Sequence, residues 1–153
     1  MSLETIHSLN KTHHCEKAWH NFKGVGFLNI YEQYMESSRL EVKRVLEIGA
    51  REGRSLRLWR DYFPNAQIFA IDIAEYKQAE LDRIKVFRGS QEDTAVLGEI
   101  VKQAGGKFDM IVDDGSHINS LTIKSYNFLF KHLKSKGFYF IEDLRCCYVE
   151  KLE

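Results

Sequence analysis

Arg44-Val-Leu-Glu-Ile-Gly-Ala-Arg-Glu-Gly-Arg-Ser-Leu-Arg-Leu-Trp59 is the stretch on which the fold turns. Its first six residues (RVLEIG, 44–49) form a short apolar run of strand character, and residues 54–63 follow with a helical pattern. Between them lies a loop bounded by Gly49 and Gly53. Glycines at a strand-to-helix turn let the backbone bend tightly and let a ligand approach without a Cβ in the way. A dinucleotide turn would carry three glycines spaced G-x-G-x-x-G, seating a pyrophosphate on the helix N-terminus. This loop has two, with Arg51 and Glu52 between them and Glu47 two residues ahead of the first. An acid there suits a ligand with a cationic group better than a pyrophosphate.

Downstream the same alternation repeats. Strands are expected at 67–72 (QIFAID), 84–89 (IKVFRG), 108–114 (FDMIVDD) and 137–143 (GFYFIED). Helices are expected near 75–82, 93–104 and 118–134, with Asp93 or Thr94 capping the second of these, Gly105-Gly106 ending it, and Asn119 or Ser120 opening the third. The single proline, Pro64, falls in the turn before the second strand. Upstream, residues 27–38 place Phe27, Ile30, Tyr31, Tyr34 and Met35 on one helical stripe. Apolar strands that alternate with helices predict a doubly wound, mainly parallel sheet of about five strands with helices on both faces. Ligands of such sheets bind beyond the carboxyl ends of the strands, where the strand order reverses. Four of the five strand ends carry an acid: Glu47, Asp72, Asp113-Asp114 and Glu142-Asp143.

At 153 residues the chain is the size of one domain. We divide it into an N-terminal arm over 1–25 and a ligand-binding domain over 26–153. The arm is polar, without a clear period, and holds His7, His13, His14 and His20. It reads as a solvated segment or as one that orders over a ligand, and the His13-His14 pair as a solvated one. Lys+Arg and Asp+Glu are each 22, so the net charge is zero, and no broad attraction to nucleic acid or anionic membrane is expected. Without a membrane-length apolar run or a signal-peptide core, the expected compartment is the cytoplasm. Cys15, Cys146 and Cys147 show no zinc spacing and read as reduced thiols. Trp59 should lie in the core.

The strand ends carry the chemistry. Asp72, 23 residues after Gly49, is placed to accept ribose hydroxyls of a nucleoside. Ser90 and Gln91, after the third strand, are placed to meet an adenine edge. Asp113-Asp114-Gly-Ser-His117 is the most informative run. Adjacent carboxylates repel, and a cation relieves that cost. His117 lies three residues past Asp114, and a neutral imidazole can remove a proton near neutral pH. Asp114 and Asp143, at neighbouring strand ends, can offer oxygen ligands to one hard cation such as Mg²⁺. Soft ligands are missing from the set, which argues against zinc.

Val45-Leu-Glu-Ile-Gly-Ala-Arg-Glu-Gly-Arg-Ser-Leu56, then Asp72, then Phe108-Asp-Met-Ile-Val-Asp-Asp-Gly-Ser-His-Ile-Asn119, then Gly137-Phe-Tyr-Phe-Ile-Glu-Asp-Leu144 together resemble a known group. The chain is similar, over roughly residues 27–148, to the class I S-adenosylmethionine-dependent methyltransferases, with their Rossmann-like fold. Within them it resembles the metal-dependent sugar O-methyltransferases of macrolide biosynthesis, a branch of secondary metabolism. The Glu-x-Gly-x-x-x-Gly element is common to many methyltransferases, whereas Asp-Asp-Gly-Ser-His with Glu-Asp downstream is more specific. The resemblance implies that Glu47, Gly49, Gly53, Asp72, Ser90 and Gln91 bind S-adenosylmethionine, with Asp113 toward its sulfonium or amino group. It implies Asp114, Asp143 and, more weakly, Glu142 as ligands of Mg²⁺ or another hard divalent cation, and His117 as the base. The expected substrate is a small-molecule hydroxyl acceptor. One departure stands out: such enzymes continue past strand five, whereas this chain has ten residues after Asp143. Strands six and seven are therefore expected to be lacking, leaving Phe138-Tyr-Phe-Ile141 as an exposed edge; either a second copy covers it or the chain is a fragment of a longer protein.

A rival reading is a non-catalytic or incomplete cofactor-binding domain that works through a partner. Binding of S-adenosylmethionine without turnover would favour it. A nicotinamide-dependent oxidoreductase is disfavoured by the missing middle glycine and the acid-rich strand ends. Nucleic-acid methylation lacks a basic patch with interleaved aromatics.

Overall fold

The computed structural model describes residues 3–18, 26–76, 79 and 81–144. Five strands form one sheet: β1 (Arg44–Ile48), β2 (Gln67–Asp72), β3 (Ile84–Arg88), β4 (Phe108–Asp113) and β5 (Leu133–Ile141). Their order is β3-β2-β1-β4-β5, and every pair is parallel. The order reverses between β1 and β4, so the crevice beyond their carboxyl ends is the expected ligand position. The helices are α1 (Ile6–His13), α2 (Phe27–Met35), α3 (Arg54–Tyr62), α4 (Thr94–Ala104) and α5 (Asn119–Leu129).

Strand alternation assigns each side chain to a face. Val45 on β1 and Met110 and Val112 on β4 point to a layer built from α1, α2 and α3, with Leu28, Tyr31, Leu56 and Trp59 fully or almost fully buried there. Leu46, Ile48 and Ile111 point to the opposite layer, where Leu97 and Ile100 of α4 and Leu129 of α5 cover them. Trp59 lies in the core as expected, edge-on to Tyr31 at 4.7 Å. Truncating a buried aromatic of this kind to alanine costs about 3–5 kcal/mol.

Local chemistry sets the element ends. Asp93 caps α4 by accepting from Ala95 N and Val96 N, and Gly105 ends it in the left-handed region. α5 opens at Asn119 without a capping side chain, since Ile118 occupies the cap position. Gly49 has φ +93°, and a Cβ there would lie 2.2 Å from the Asp114 carbonyl oxygen. This glycine is demanded by the contact between the ends of β1 and β4, sealed by Asp114 N donating to Ile48 O at 3.0 Å. The sequence reading assigned it both to a tight backbone turn, which its φ shows, and to ligand approach.

Several expectations change. Within the segment read as aperiodic, Ile6–His13 forms a helix, capped by Thr5 and burying Ile6 and Leu9. His13 is not solvated: its Nε2 lies 2.8 Å from Asp61 Oδ2, with only 8% of the side chain exposed. His20 and Cys146-Cys147 lie outside the described residues, while Cys15 is a free thiol. In the 75–82 window no α-helix forms among the described residues, and Leu81 bridges back to Ile84. The helix expected over 118–134 ends at Leu129, and β5 starts at Leu133 rather than 137, with a register shift opposite Phe108 and Met110.

Among the described residues, β5 stands at one end of the strand order. Tyr34 on α2 lies over Phe138 and Phe140, so part of its apolar face is covered from within the chain. No helix among the described residues is long and apolar enough to cross a membrane.

Candidate active site

A cavity of about 650 Å³ opens beyond the carboxyl ends of the strands. It is lined by Gly49, Asp72, Ser90, Gln91, Asp114, His117, Glu142 and Asp143 among the residues singled out from sequence. Its size suits a nucleoside-sized ligand. Glu47, Gly53 and Asp113 are not on its wall.

Alternation explains the sorting of the acids. Glu47 follows Val45 on the α2–α3 face and is fully buried. Its Oε2 accepts from Trp59 Nε1 at 2.7 Å, while Oε1 has no hydrogen bond and lies 3.2 Å from Lys17 Nζ as an ion pair. Asp113 falls on the other face, where Ser125 Oγ donates to Oδ2 at 2.7 Å and the Gln91 amide nitrogen approaches at 3.4 Å. The resemblance aimed both residues at the cofactor. In the structure both are held inside the fold, because a period of two turns them from the crevice. Gly53 serves as the left-handed N-cap of α3, and a Cβ there would meet Ala79 at 2.7 Å.

Asp114, His117 and Asp143 converge. One ligand atom from each lies within 4.8 Å of the others, with His117 Nε2 4.0 Å from Asp114 Oδ1. His117 and Asp143 are both held at positive φ, 57° and 53°. For residues with a Cβ, such conformations cost about 1–3 kcal/mol and persist only where surroundings enforce them. Two carboxylates partly open to the cavity fit a hard divalent cation that keeps several waters, with the imidazole beside them. Cys15 also lines the cavity, and burial pushes its thiol up to about 12.

Glu142 turns away from this trio. Its Oε1 accepts from Lys17 Nζ at 2.8 Å and from the Tyr31 hydroxyl, although the residue still borders the cavity. It is therefore not part of the converging metal cluster among the described residues. Burial raises the Glu142 carboxyl above its ordinary value.

At the other side of the cavity, Asp72 is already engaged. Its Oδ2 accepts from Ala50 N at 2.8 Å and Arg51 N at 3.0 Å, and its Oδ1 from Ala74 N at 2.9 Å. Of roughly four acceptor positions on a carboxylate, about one stays open. Gln91 holds the Asp-Asp-Gly-Ser-His loop by accepting from Ser116 N at 2.8 Å. The reading from sequence missed Cys15, Glu16, Lys17, Ile73 and Leu121, all on the cavity wall. Ile73 is 76% exposed, an apolar side chain presented beside Asp72. The segment around Lys17 has no local motif; only the face-sorting of three acids could have called for a cation there.

Glu47 gives a pH test. Burial, ahead of the opposing pull of Lys17, pushes its carboxyl up to about 7 from 4.5. The fold thus favours the protonated form, and this contribution is complete below pH 4.5 and lost as pH rises through about 7. Relative to Glu47→Gln, wild-type stability is expected to fall by an amount on the order of 3 kcal/mol across that window. Parallel denaturation curves of the two proteins at each pH check this, and a constant gap between them contradicts it.

No protein-family model matches the chain. It is 37% identical over 125 residues to mycinamicin VI 2''-O-methyltransferase of Micromonospora griseorubida, covering 77% of this chain and 31% of that protein. It is 38% identical over 125 residues to demethylmacrocin O-methyltransferase of Streptomyces fradiae, with the same two shares. Among solved structures, the MycE methyltransferase of the mycinamycin biosynthetic pathway, in complex with Mg and SAH, superimposes with a TM-score of 0.88 at 32% identity. The match covers 99% of this chain and 42% of that one. The chain spans about a third of the length of the curated relatives it matches. It carries the fold of the class I S-adenosylmethionine-dependent methyltransferases and resembles, within them, the sugar O-methyltransferases of macrolide and polyketide biosynthesis.

Proposed function

We propose that the chain binds S-adenosylmethionine and a divalent cation and serves O-methylation of a hydroxyl on a sugar or similar small metabolite. The observation that carries this reading is the convergence of Asp114, His117 and Asp143 on the cavity that Gly49, Asp72 and Gln91 also line. The similarity to sugar O-methyltransferases, one of them solved with Mg and SAH, supports it.

When bound, S-adenosylmethionine supplies the methyl group and Mg²⁺ the Lewis acidity that eases loss of a hydroxyl proton. Asp72 accepts from the ribose through its open acceptor position, and Ile73 gives the nucleoside an apolar surface. Asp114 and Asp143 hold the cation. His117, on the same wall, takes the proton from the acceptor hydroxyl. Fixing acceptor and donor in one crevice removes much of the entropic barrier to their meeting.

Transfer of labelled methyl from S-adenosylmethionine to a panel of deoxysugar-bearing acceptors tests the reading. Transfer that stops with EDTA and returns with Mg²⁺ is expected. Tight S-adenosylmethionine binding with no transfer to any acceptor, with or without Mg²⁺, would instead favour a non-catalytic cofactor-binding domain.

A further inference from the structure

Glu47, Asp114 and Glu142 stand at the ends of three adjacent strands and, by alternation, on the same face of the sheet. Three carboxylates so placed need a cation, and one side chain supplies it. Lys17 enters from the 3-10 turn Glu16–Ala18 and puts its ammonium 2.7 Å from Asp114 Oδ2, 2.8 Å from Glu142 Oε1 and 3.2 Å from Glu47 Oε1. Only 4% of that side chain is exposed. The segment is tied down on both sides: Cys15 N donates to Asn10 Oδ1 at 2.8 Å, and Glu16 meets Arg51 of the glycine loop at 2.6 Å. Arg54 Nη1 also donates to His14 O at 3.4 Å.

Asp114 is the link between this buried group and the cavity. Its Oδ2 takes Lys17, and its Oδ1 faces His117 Nε2. We infer that Lys17 is a positioning residue for the divalent-cation site. By holding Asp114 through one oxygen it presents the other toward His117 and Asp143, and by holding Glu142 with Tyr31 it fixes the inner border of the site. Partners that orient metal ligands from behind are typically worth about 10–100-fold in metal affinity. The inference rests on the metal-assisted reading proposed above and adds a residue that no motif marks.

The test is Mn²⁺ binding, read by electron paramagnetic resonance of free Mn²⁺, in wild type, Lys17→Met and Lys17→Arg. S-adenosylhomocysteine binding without metal, read by calorimetry, is measured in parallel. Both variants are expected to bind Mn²⁺ about tenfold more weakly or worse, while S-adenosylhomocysteine still binds. Lys17→Arg keeps the positive charge, so its loss of affinity separates orientation from neutralisation. It also decides the question if Lys17→Met leaves the buried acids without a cation and fails to fold. Mn²⁺ binding in the folded variants as tight as in wild type, or tighter, overturns the positioning role. Wild-type protein that binds S-adenosylhomocysteine but no Mn²⁺ overturns the metal-assisted reading itself, and Lys17's role with it.

Discussion

Replacing His117 with alanine is expected to lower methyl transfer by about 10²–10⁴-fold, the usual contribution of a positioned general base. Binding of S-adenosylhomocysteine and Mn²⁺ is expected to persist. The imidazole sits between β4 and α5 at φ 57°, a conformation that turns it back over the strand end beside Asp114. Alanine removes the proton acceptor and leaves both carboxylates of the trio. Steady-state rates at saturating Mg²⁺ check the first part, and Mn²⁺ titration checks the second. A variant that keeps its rate has no base at this position. One that loses Mn²⁺ instead identifies His117 as a metal ligand, a role its place within 4.8 Å of both acids also permits.

Asp143→Asn should have the larger effect on the metal. Asn has the shape of Asp and tolerates the left-handed φ of 53° found here, so the change removes charge with little strain. Replacing a charged direct ligand by a neutral amide is expected to weaken Mn²⁺ binding by at least about 100-fold, beyond the range typical of outer partners. Methyl transfer at moderate Mg²⁺ should fall with it, and a large excess of Mg²⁺ should restore part of the rate. Unchanged Mn²⁺ affinity would remove Asp143 from the site.

Much of this was legible in the sequence because the signals were local. Apolar strand runs and the loop from Gly49 to Gly53 led to a parallel sheet, and the acids at its strand ends led to the crevice. His117 with Asp114 and Asp143 was found the same way, since three residues and two strand ends bring them to one cavity. What the sequence reading left unassigned was the face each acid takes. Glu47 was read as a cofactor contact from its place ahead of Gly49 and from the family resemblance, and Asp113 from the resemblance alone; in the structure Glu47 accepts from Trp59 and Asp113 from Ser125. Applied to β1, β4 and β5 together, the two-residue period groups Glu47, Asp114 and Glu142, and so calls for a buried cation. Which lysine answers is not local information: Lys17 is 97 positions from Asp114 and 125 from Glu142. The three-residue turn that carries Lys17 is too short to show a period; Glu16 is tied to Arg51 and His14 O to Arg54.

Nucleoside and cation are held to share one crevice, and proton relaxation of bound ligand measures that directly. With S-adenosylhomocysteine on the protein, added Mn²⁺ should relax the methylene protons beside sulfur more strongly than the adenine ring protons, and Asp143→Asn should abolish the difference. Equal relaxation of all ligand protons, unaltered by Asp143→Asn, would contradict a shared site.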